Sequence, residues 1–177
     1  MMSSARSKHN AFAALELDRA SDLREDENWL AEHARSAQAR FLLLDADGRA
    51  LMSADRRHLF DIDHDVGKRL ALGVPSFLGR VGPTVHFALA LDAEAAARAA
   101  AETGGAFADL RSAGASLPAF DAGLFAYARG LAHWQRRTRF CPACAAPLRL
   151  EAGGHRAKCT NPQCGIQQFP RTDPAVI

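Results

Sequence analysis

The spacing of apolar and polar positions divides the chain into short elements. The first 26 residues are polar and mixed, with one apolar patch from Phe12 to Leu17, and read as a partly ordered arm. From Asp26 to Arg35 acidic residues come first, and Trp29, Leu30 and Ala34 then fall on one side, which predicts a short helix. The apolar run Ala39 to Leu44, the turn residues Asp45-Ala46-Asp47-Gly48 and the run Ala50 to Met52 predict a β-hairpin. Ser76 to Val81 and Val85 to Leu91 flank Gly82-Pro83 and predict a second strand pair. Asp92 stands at the cap of an Ala-rich helix from Ala93 to Glu102, with Glu94 in its first turn and Gly104-Gly105 at its end. The clearest helix runs from Leu117 to Arg136. There Leu117, Phe120, Leu124, Tyr127, Leu131 and Trp134 alternate steps of three and four, making one apolar stripe that faces a core. Arg136, Arg137 and Arg139 follow at the negative end of that helix's dipole. The order of elements predicts an α+β fold over residues 1–135, a mixed N-terminal domain with a small antiparallel sheet and packed helices.

Composition adds exclusions. Apolar residues make up 48% of the 177 positions, enough for a packed core. The apolar runs are only a few residues long, far short of the about 20 that cross a bilayer, so no membrane partner is expected. No apolar stretch follows Met1 to Asn10, so no secretory signal is visible and a cytoplasmic location is expected. A net charge of +2 is too small to argue for nucleic acid. Alanine fills 37 positions and 19 of 22 basic residues are Arg, the bias of a GC-rich, bacterial genome.

All four cysteines lie between positions 141 and 164. Cys141-Pro142-Ala143-Cys144 is followed, after 14 residues, by Cys159-Thr160-Asn161-Pro162-Gln163-Cys164. Two close pairs joined by a hairpin-length spacer are what a tetrahedral Zn²⁺ needs. Cys141, Cys144, Cys159 and Cys164 are therefore expected to hold one structural zinc in a ribbon over residues 136–168, with Gly153-Gly154 at its hairpin tip. A redox pair at Cys141 and Cys144 would be expected at a βα junction, which is lacking here, and a cytosolic chain disfavours disulfides. Four thiols fill the shell, so His155 is expected as a surface histidine and the zinc as non-catalytic. Four thiolates and Zn²⁺ sum to −2, and Arg139, Arg149, Arg156 and Lys158 are expected to offset that charge. The same four cations also read as a nucleic-acid patch, a reading weakened by the lack of interleaved aromatics.

The segment Leu131-Ala132-His133-Trp134-Gln135-Arg136-Arg137-Thr138-Arg139-Phe140-Cys141-Pro142-Ala143-Cys144, the second knuckle, and Gln168-Phe169-Pro170-Arg171-Thr172-Asp173-Pro174-Ala175-Val176-Ile177 together resemble the NAD(H) diphosphatases (NADH pyrophosphatases) of the Nudix superfamily. Leu17 to Ser21 and Phe107 to Arg111 look like that family's N-terminal domain. Gln135 and Thr138 stand where the family often has His, and Ala145 where a knuckle Gly is common. The resemblance implies an N-terminal domain, a zinc ribbon and a catalytic Nudix domain. It also implies cleavage of the pyrophosphate of NAD(H) to nicotinamide mononucleotide and AMP, and in related members removal of NAD caps from RNA. Mg²⁺ or Mn²⁺ held by glutamates would do that chemistry, and a homodimer is implied.

The glutamate cluster is absent from residues 1–177. A Nudix box needs a Gly, a Glu six residues on, and an Arg-Glu followed by a Glu-Glu pair, whereas the only Arg-Glu here, Arg24-Glu25, runs on as Asp26-Glu27-Asn28. Pro174 to Ile177 looks like the opening of a β-strand, so residues 169–177 read as the start of a truncated Nudix domain. The chain is then expected to be the non-catalytic part of such a hydrolase, with no catalytic residue. The resemblance implies that Phe169 stacks on a base or nicotinamide; the alternative is a packed aromatic at the domain junction. The alternative function is a stand-alone zinc-ribbon module that binds nucleic acid or a protein partner.

Overall fold

The computed structural model describes residues 15–55, 57–69 and 74–170. Phe12 to Ala14 of the arm's apolar patch and the expected strand Pro174 to Ile177 lie outside them.

The described elements are α1 (Glu27–His33), β1 (Ala39–Leu44), β2 (Ala50–Met52), β3 (Asp61–Ile62), α2 (His64–Arg69), β4 (Ser76–Val81), β5 (Thr84–Ala90), α3 (Ala93–Thr103), β6 (Ala106–Ala108), α4 (Leu110–Ala113) and α5 (Ala119–Arg137). Beyond α5 come β7 (Leu148–Glu151), β8 (Arg156–Cys159) and β9 (Gln167–Gln168). The fold mixes helices and sheets, as the α+β reading expects. Among the described residues, no helix is long and apolar enough to cross a membrane.

Local chemistry sets several of these elements. The Asp26 carboxylate accepts the Trp29 amide at 2.9 Å and starts α1. Asp92 does the same for α3 through the Ala95 amide at 2.8 Å, and Gly104, at φ 68°, ends that helix. In the β1–β2 turn, the buried Asp45 carboxylate accepts the amides of Asp47 and Arg49 at 3.0 and 2.8 Å and the Arg49 Nε–H at 2.6 Å. The turn thus fixes the antiparallel register Leu44↔Ala50.

The first sheet runs β4-β5-β1-β2-β6, with β3 also pairing β1. It is mixed, where a small antiparallel sheet was expected. β1 and β5 run parallel over Ala39↔Val85 to Leu44↔Ala90, because the chain passes through β2, β3, α2 and β4 before β5 returns to the other edge of β1. Strand alternation then gives two buried faces. Leu42, Leu44, Met52 and Leu78 face α5. Phe41, Leu43, Phe77 and Phe87 face the other way, where α3 contributes Ala96 and Ala99, and Trp29 and Leu30 of α1 pack at the margin.

The long helix begins at Ala119, two residues later than the stripe predicts, with Pro118 at its cap. A proline disfavours helical geometry at the residue before it, so Leu117 stays outside. The deepest contacts also differ. Leu124, Phe125, Ala128, Leu131 and Ala132 are buried, whereas Phe120, Tyr127 and Trp134 lie at the margins of the interface. Small residues, Ala122, Ala128 and Ala132, alternate with Leu124, Phe125 and Leu131 in the buried set.

Candidate metal centre

The second sheet, β7-β8-β9, is a hairpin plus a short strand, and it carries the cysteines. Strands β7 and β8 pair Leu148↔Cys159 through Glu151↔Arg156. The segment before the first knuckle joins them as an edge, with Phe140 bridged to Pro147 and the Leu148 amide donating to the Arg139 carbonyl at 2.9 Å. Each knuckle closes on its own backbone. The Ala145 amide donates to the Cys141 carbonyl at 2.9 Å, and the Cys164 and Gly165 amides donate to the Asn161 carbonyl at 3.0 and 3.1 Å. Both knuckles end in the left-handed region, Ala145 at φ 57° and Gly165 at φ 63°.

These loops bring together Cys141, Cys144, Cys159 and Cys164, whose sulfurs all lie within 4.8 Å of one another. Cys144 and Cys159 lie 3.5 Å apart, and Cys141 and Cys164 lie 3.7 Å apart. A tetrahedral site with Zn–S bonds of about 2.3 Å has sulfur–sulfur edges of about 3.8 Å. The cluster has close to that size before any ion is placed in it.

The electrostatics also fit a dication. Backbone amides of Ala143 and Cys144 pull the Cys141 thiol down to about 7, against the opposing effect of burial. Burial pushes Cys159 up to about 12. At Cys164 the Ile166 amide pulls down, but burial and the neighbouring thiols leave the group raised. Backbone amides thus favour the thiolate at Cys141, whereas burial and the neighbouring sulfurs oppose it at Cys159 and Cys164. A divalent cation at the centre removes that conflict.

The ribbon tip is anchored to the first sheet. His155, expected on the surface, is 7% exposed. Its Nε2–H donates to the Phe77 carbonyl at 2.7 Å, and the Tyr127 hydroxyl lies 3.4 Å from the same nitrogen. Burial first, then the charges of Arg24 and Arg19, lower its pKa to about 4 against the upward pull of the Phe77 carbonyl. Beside it the Gln135 amide donates to Ser76 Oγ at 2.9 Å and to the Gly154 carbonyl at 2.8 Å. The glycines are needed here. A Cβ on Gly153 would lie 2.9 Å from Phe77 Cβ, and one on Gly154 would lie 2.6 Å from Ser76 Oγ. The Gly-Gly-His run was the signal for this anchor, but it does not reveal the partner strand.

Two of the four cations near the cysteines have carboxylate partners. Arg156 grips the Glu25 carboxylate with both terminal nitrogens at 2.6 and 2.9 Å, and Arg149 pairs with Glu151 at 2.7 Å. Phe169, just beyond β9, is 56% exposed.

Comparison with known families agrees with this geometry. The NADH pyrophosphatase-like rudimentary NUDIX domain matches residues 37–134, and the NADH pyrophosphatase zinc ribbon domain matches residues 136–169. The chain belongs to the NADH pyrophosphatase-like NUDIX family. A curated relative is the NAD-capped RNA hydrolase NudC of Deinococcus radiodurans, 38% identical over 100 residues, which are 56% of this chain and 33% of that protein. Another is the human NAD-capped RNA hydrolase NUDT12, 36% identical over 63 residues, or 32% of this chain and 14% of that protein. The NAD-capped RNA hydrolase of Schizosaccharomyces pombe is 37% identical over 91 residues, 43% of this chain and 24% of that protein. The chain thus spans about a third or less of the length of these relatives.

Proposed function

We propose that this chain is the non-catalytic N-terminal and zinc-ribbon portion of a hydrolase that splits the pyrophosphate of NAD(H), and of NAD-capped RNA, into nicotinamide mononucleotide and an AMP end. Its parts are an N-terminal domain over 1–135, a ribbon over 136–168, and the opening of a Nudix domain from 169. Cys141, Cys144, Cys159 and Cys164 hold one structural Zn²⁺, and Mg²⁺ or Mn²⁺ serves only the catalytic domain. The protein works in the cytoplasm as a homodimer, and Phe169 stacks on a base or nicotinamide of the substrate.

One observation carries the division of labour. Among the described residues, the four cysteines are the only group of three or more His, Cys, Asp or Glu side chains placed to hold a metal ion. The first sheet belongs to a NUDIX-like domain, yet its described residues gather no carboxylates of the kind that hold divalent cations against a pyrophosphate. A shell of four thiolates leaves no position for a reacting water, so the zinc serves architecture.

The test has two arms. Elemental analysis of the purified 177-residue chain should find close to one zinc per chain, lost in Cys141→Ser. Metal-free protein with four titratable thiols and an intact fold would overturn the zinc assignment. The same chain should release no nicotinamide mononucleotide from NADH with Mg²⁺ present, and Mg²⁺-dependent release would overturn the non-catalytic assignment.

A further inference from the structure

We propose that the outward face of the ribbon sheet binds single-stranded RNA, the stretch that follows the NAD cap. The substrate that delivers this strand rests on the function proposed above; the surface rests on the register of the sheet.

Across the ribbon, Arg149 pairs Lys158 and Lys158 pairs Gln167, so these three side chains share one face. Pro147 lies two residues before Arg149 and bridges Phe140, which puts the Phe140 ring on that face at one edge. Phe169 lies two residues after Gln167 and returns to the same face at the other edge. Phe140 is 62% exposed and Phe169 56%. Three strand spacings of about 4.8 Å separate the two edges, and the register sets Phe169 about four residues of about 3.3 Å further along the strands than Phe140, so the rings lie roughly 20 Å apart on a diagonal. That is room for about six stacked nucleotides at 3.4 Å each, or fewer in a drawn-out strand.

A recess of about 150 Å³ is lined by Arg149, Lys158, Cys159 and Thr160. Arg149 gives one N–H to Glu151 and keeps an exposed guanidinium. Lys158 forms no salt bridge among the described residues, although its charge acts on the Glu151 carboxylate, which shares this face two residues from Arg149. A pocket of that size between two cations suits a phosphate, and flanking aromatics suit bases that are free to stack. A duplex keeps its bases stacked inside, so the face selects unpaired strands. In linear order the two aromatics are far apart and do not interleave with the cations; the sheet brings them together. Phe169 then stands nearest the cap, and the strand runs over Lys158 and Arg149 toward Phe140.

The test is fluorescence anisotropy of a labelled, uncapped, ten-nucleotide single-stranded RNA titrated with the 177-residue chain over a range of salt. Arg149→Glu with Lys158→Glu should weaken binding at least tenfold at low salt. Loss of two phosphate contacts should also flatten the log–log salt slope by about 1.4. Phe140→Ala should weaken binding by about fivefold or more and leave the slope unchanged. Zinc content should stay at the wild-type value in each variant, since none of the substituted side chains is buried or is a sulfur ligand. No binding by the wild-type chain, affinities within twofold of wild type in both variants, or equal affinity for an RNA duplex would each overturn the proposal. Uncapped RNA separates the two readings: failure here leaves the NAD(H) assignment standing, and failure of that assignment leaves this affinity in place.

Discussion

The substitution His155→Gln probes how the ribbon is held to the first sheet. The His155 ring is buried, with its pKa lowered from 6.5 to about 4, chiefly by burial. Its Nε2–H meets the Phe77 carbonyl at 2.7 Å. The folded protein holds this group neutral at a pH where the unfolded chain already takes up a proton. The resulting stability is therefore complete above pH 6.5 and is lost as pH falls from 6.5 toward 4. A shift of this size corresponds to about 3 kcal/mol at 1.36 kcal/mol per pH unit. A glutamine side chain in that place would still offer an N–H to Phe77 but would not titrate. Urea unfolding followed by Trp fluorescence is a suitable assay, because Trp29 packs edge-on against Phe77 at 5.7 Å. At pH 7.5 the variant should be less stable than wild type by about 1–2 kcal/mol, the cost of an imperfect replacement bond. Wild type should lose about 2.5 kcal/mol between pH 7.5 and 4.5 that the variant keeps, so the two curves should cross between about pH 5 and 6 and the variant should be the more stable at pH 4.5. Both proteins share the cysteines, so acid loss of metal affects them equally and cancels in the difference. Parallel stability curves between pH 7.5 and 4.5 would refute a buried, neutral His155 at this junction.

The knuckles make a reciprocal prediction. Ala145 at φ 57° carries left-handed strain that Gly would not, so Ala145→Gly should stabilise the ribbon by about 0.5–1 kcal/mol after the entropic cost of Gly, and Gly165→Ala should destabilise it by a similar amount, both read as shifts in thermal midpoint. The hairpin tip gives a contrast between two glycines. Gly154→Ala, at φ 87° and with Ser76 Oγ and Gln135 Nε2 within 2.7 Å of the new Cβ, should cost about 2 kcal/mol or more in chemical denaturation. Gly130→Ala, mid-helix with nothing within 4 Å, should instead stabilise by about 0.5–1 kcal/mol.

What was legible in the sequence was mostly local. Asp26 and Asp92 announce helix starts, and in the structure their carboxylates accept the expected amides. Asp45 to Gly48 announces a hairpin turn, and the buried Asp45 carboxylate organises it. The cysteine spacing announces a four-sulfur cluster, and the sulfurs meet within 4.8 Å. What was not legible depends on distant partners. Nothing near Ala39 to Leu44 reveals that its neighbour is Val85 to Ala90 running parallel. Pro118 could have been read, since it shortens the helix by a rule that needs no structure. His155 could not, because its burial depends on a carbonyl 78 positions away. Arg149 and Arg156 look like counter-charges for the thiolates until Glu151 and Glu25 are seen beside them.

The junction changes what a structural zinc accomplishes here. A ribbon of some thirty residues buries too little to fold by itself, and metal binding supplies the deficit. In this chain the folded hairpin does more than persist. Its tip presents two glycines that let the backbone lie against Phe77 and Ser76, a buried histidine that binds the Phe77 carbonyl, and an arginine that grips Glu25. Those groups sit at the end of β7 and the start of β8, and the cysteines sit at the opposite end of the same hairpin. Loss of the metal would therefore loosen the tip through the strands that join them, and the contacts on Phe77 and Glu25 would weaken with it. The outer face, bearing Arg149 and Lys158, lies on those same two strands. On the proposed zinc assignment, a single ion would fix both the attachment of the ribbon to the first sheet and the orientation of the face bearing Arg149 and Lys158.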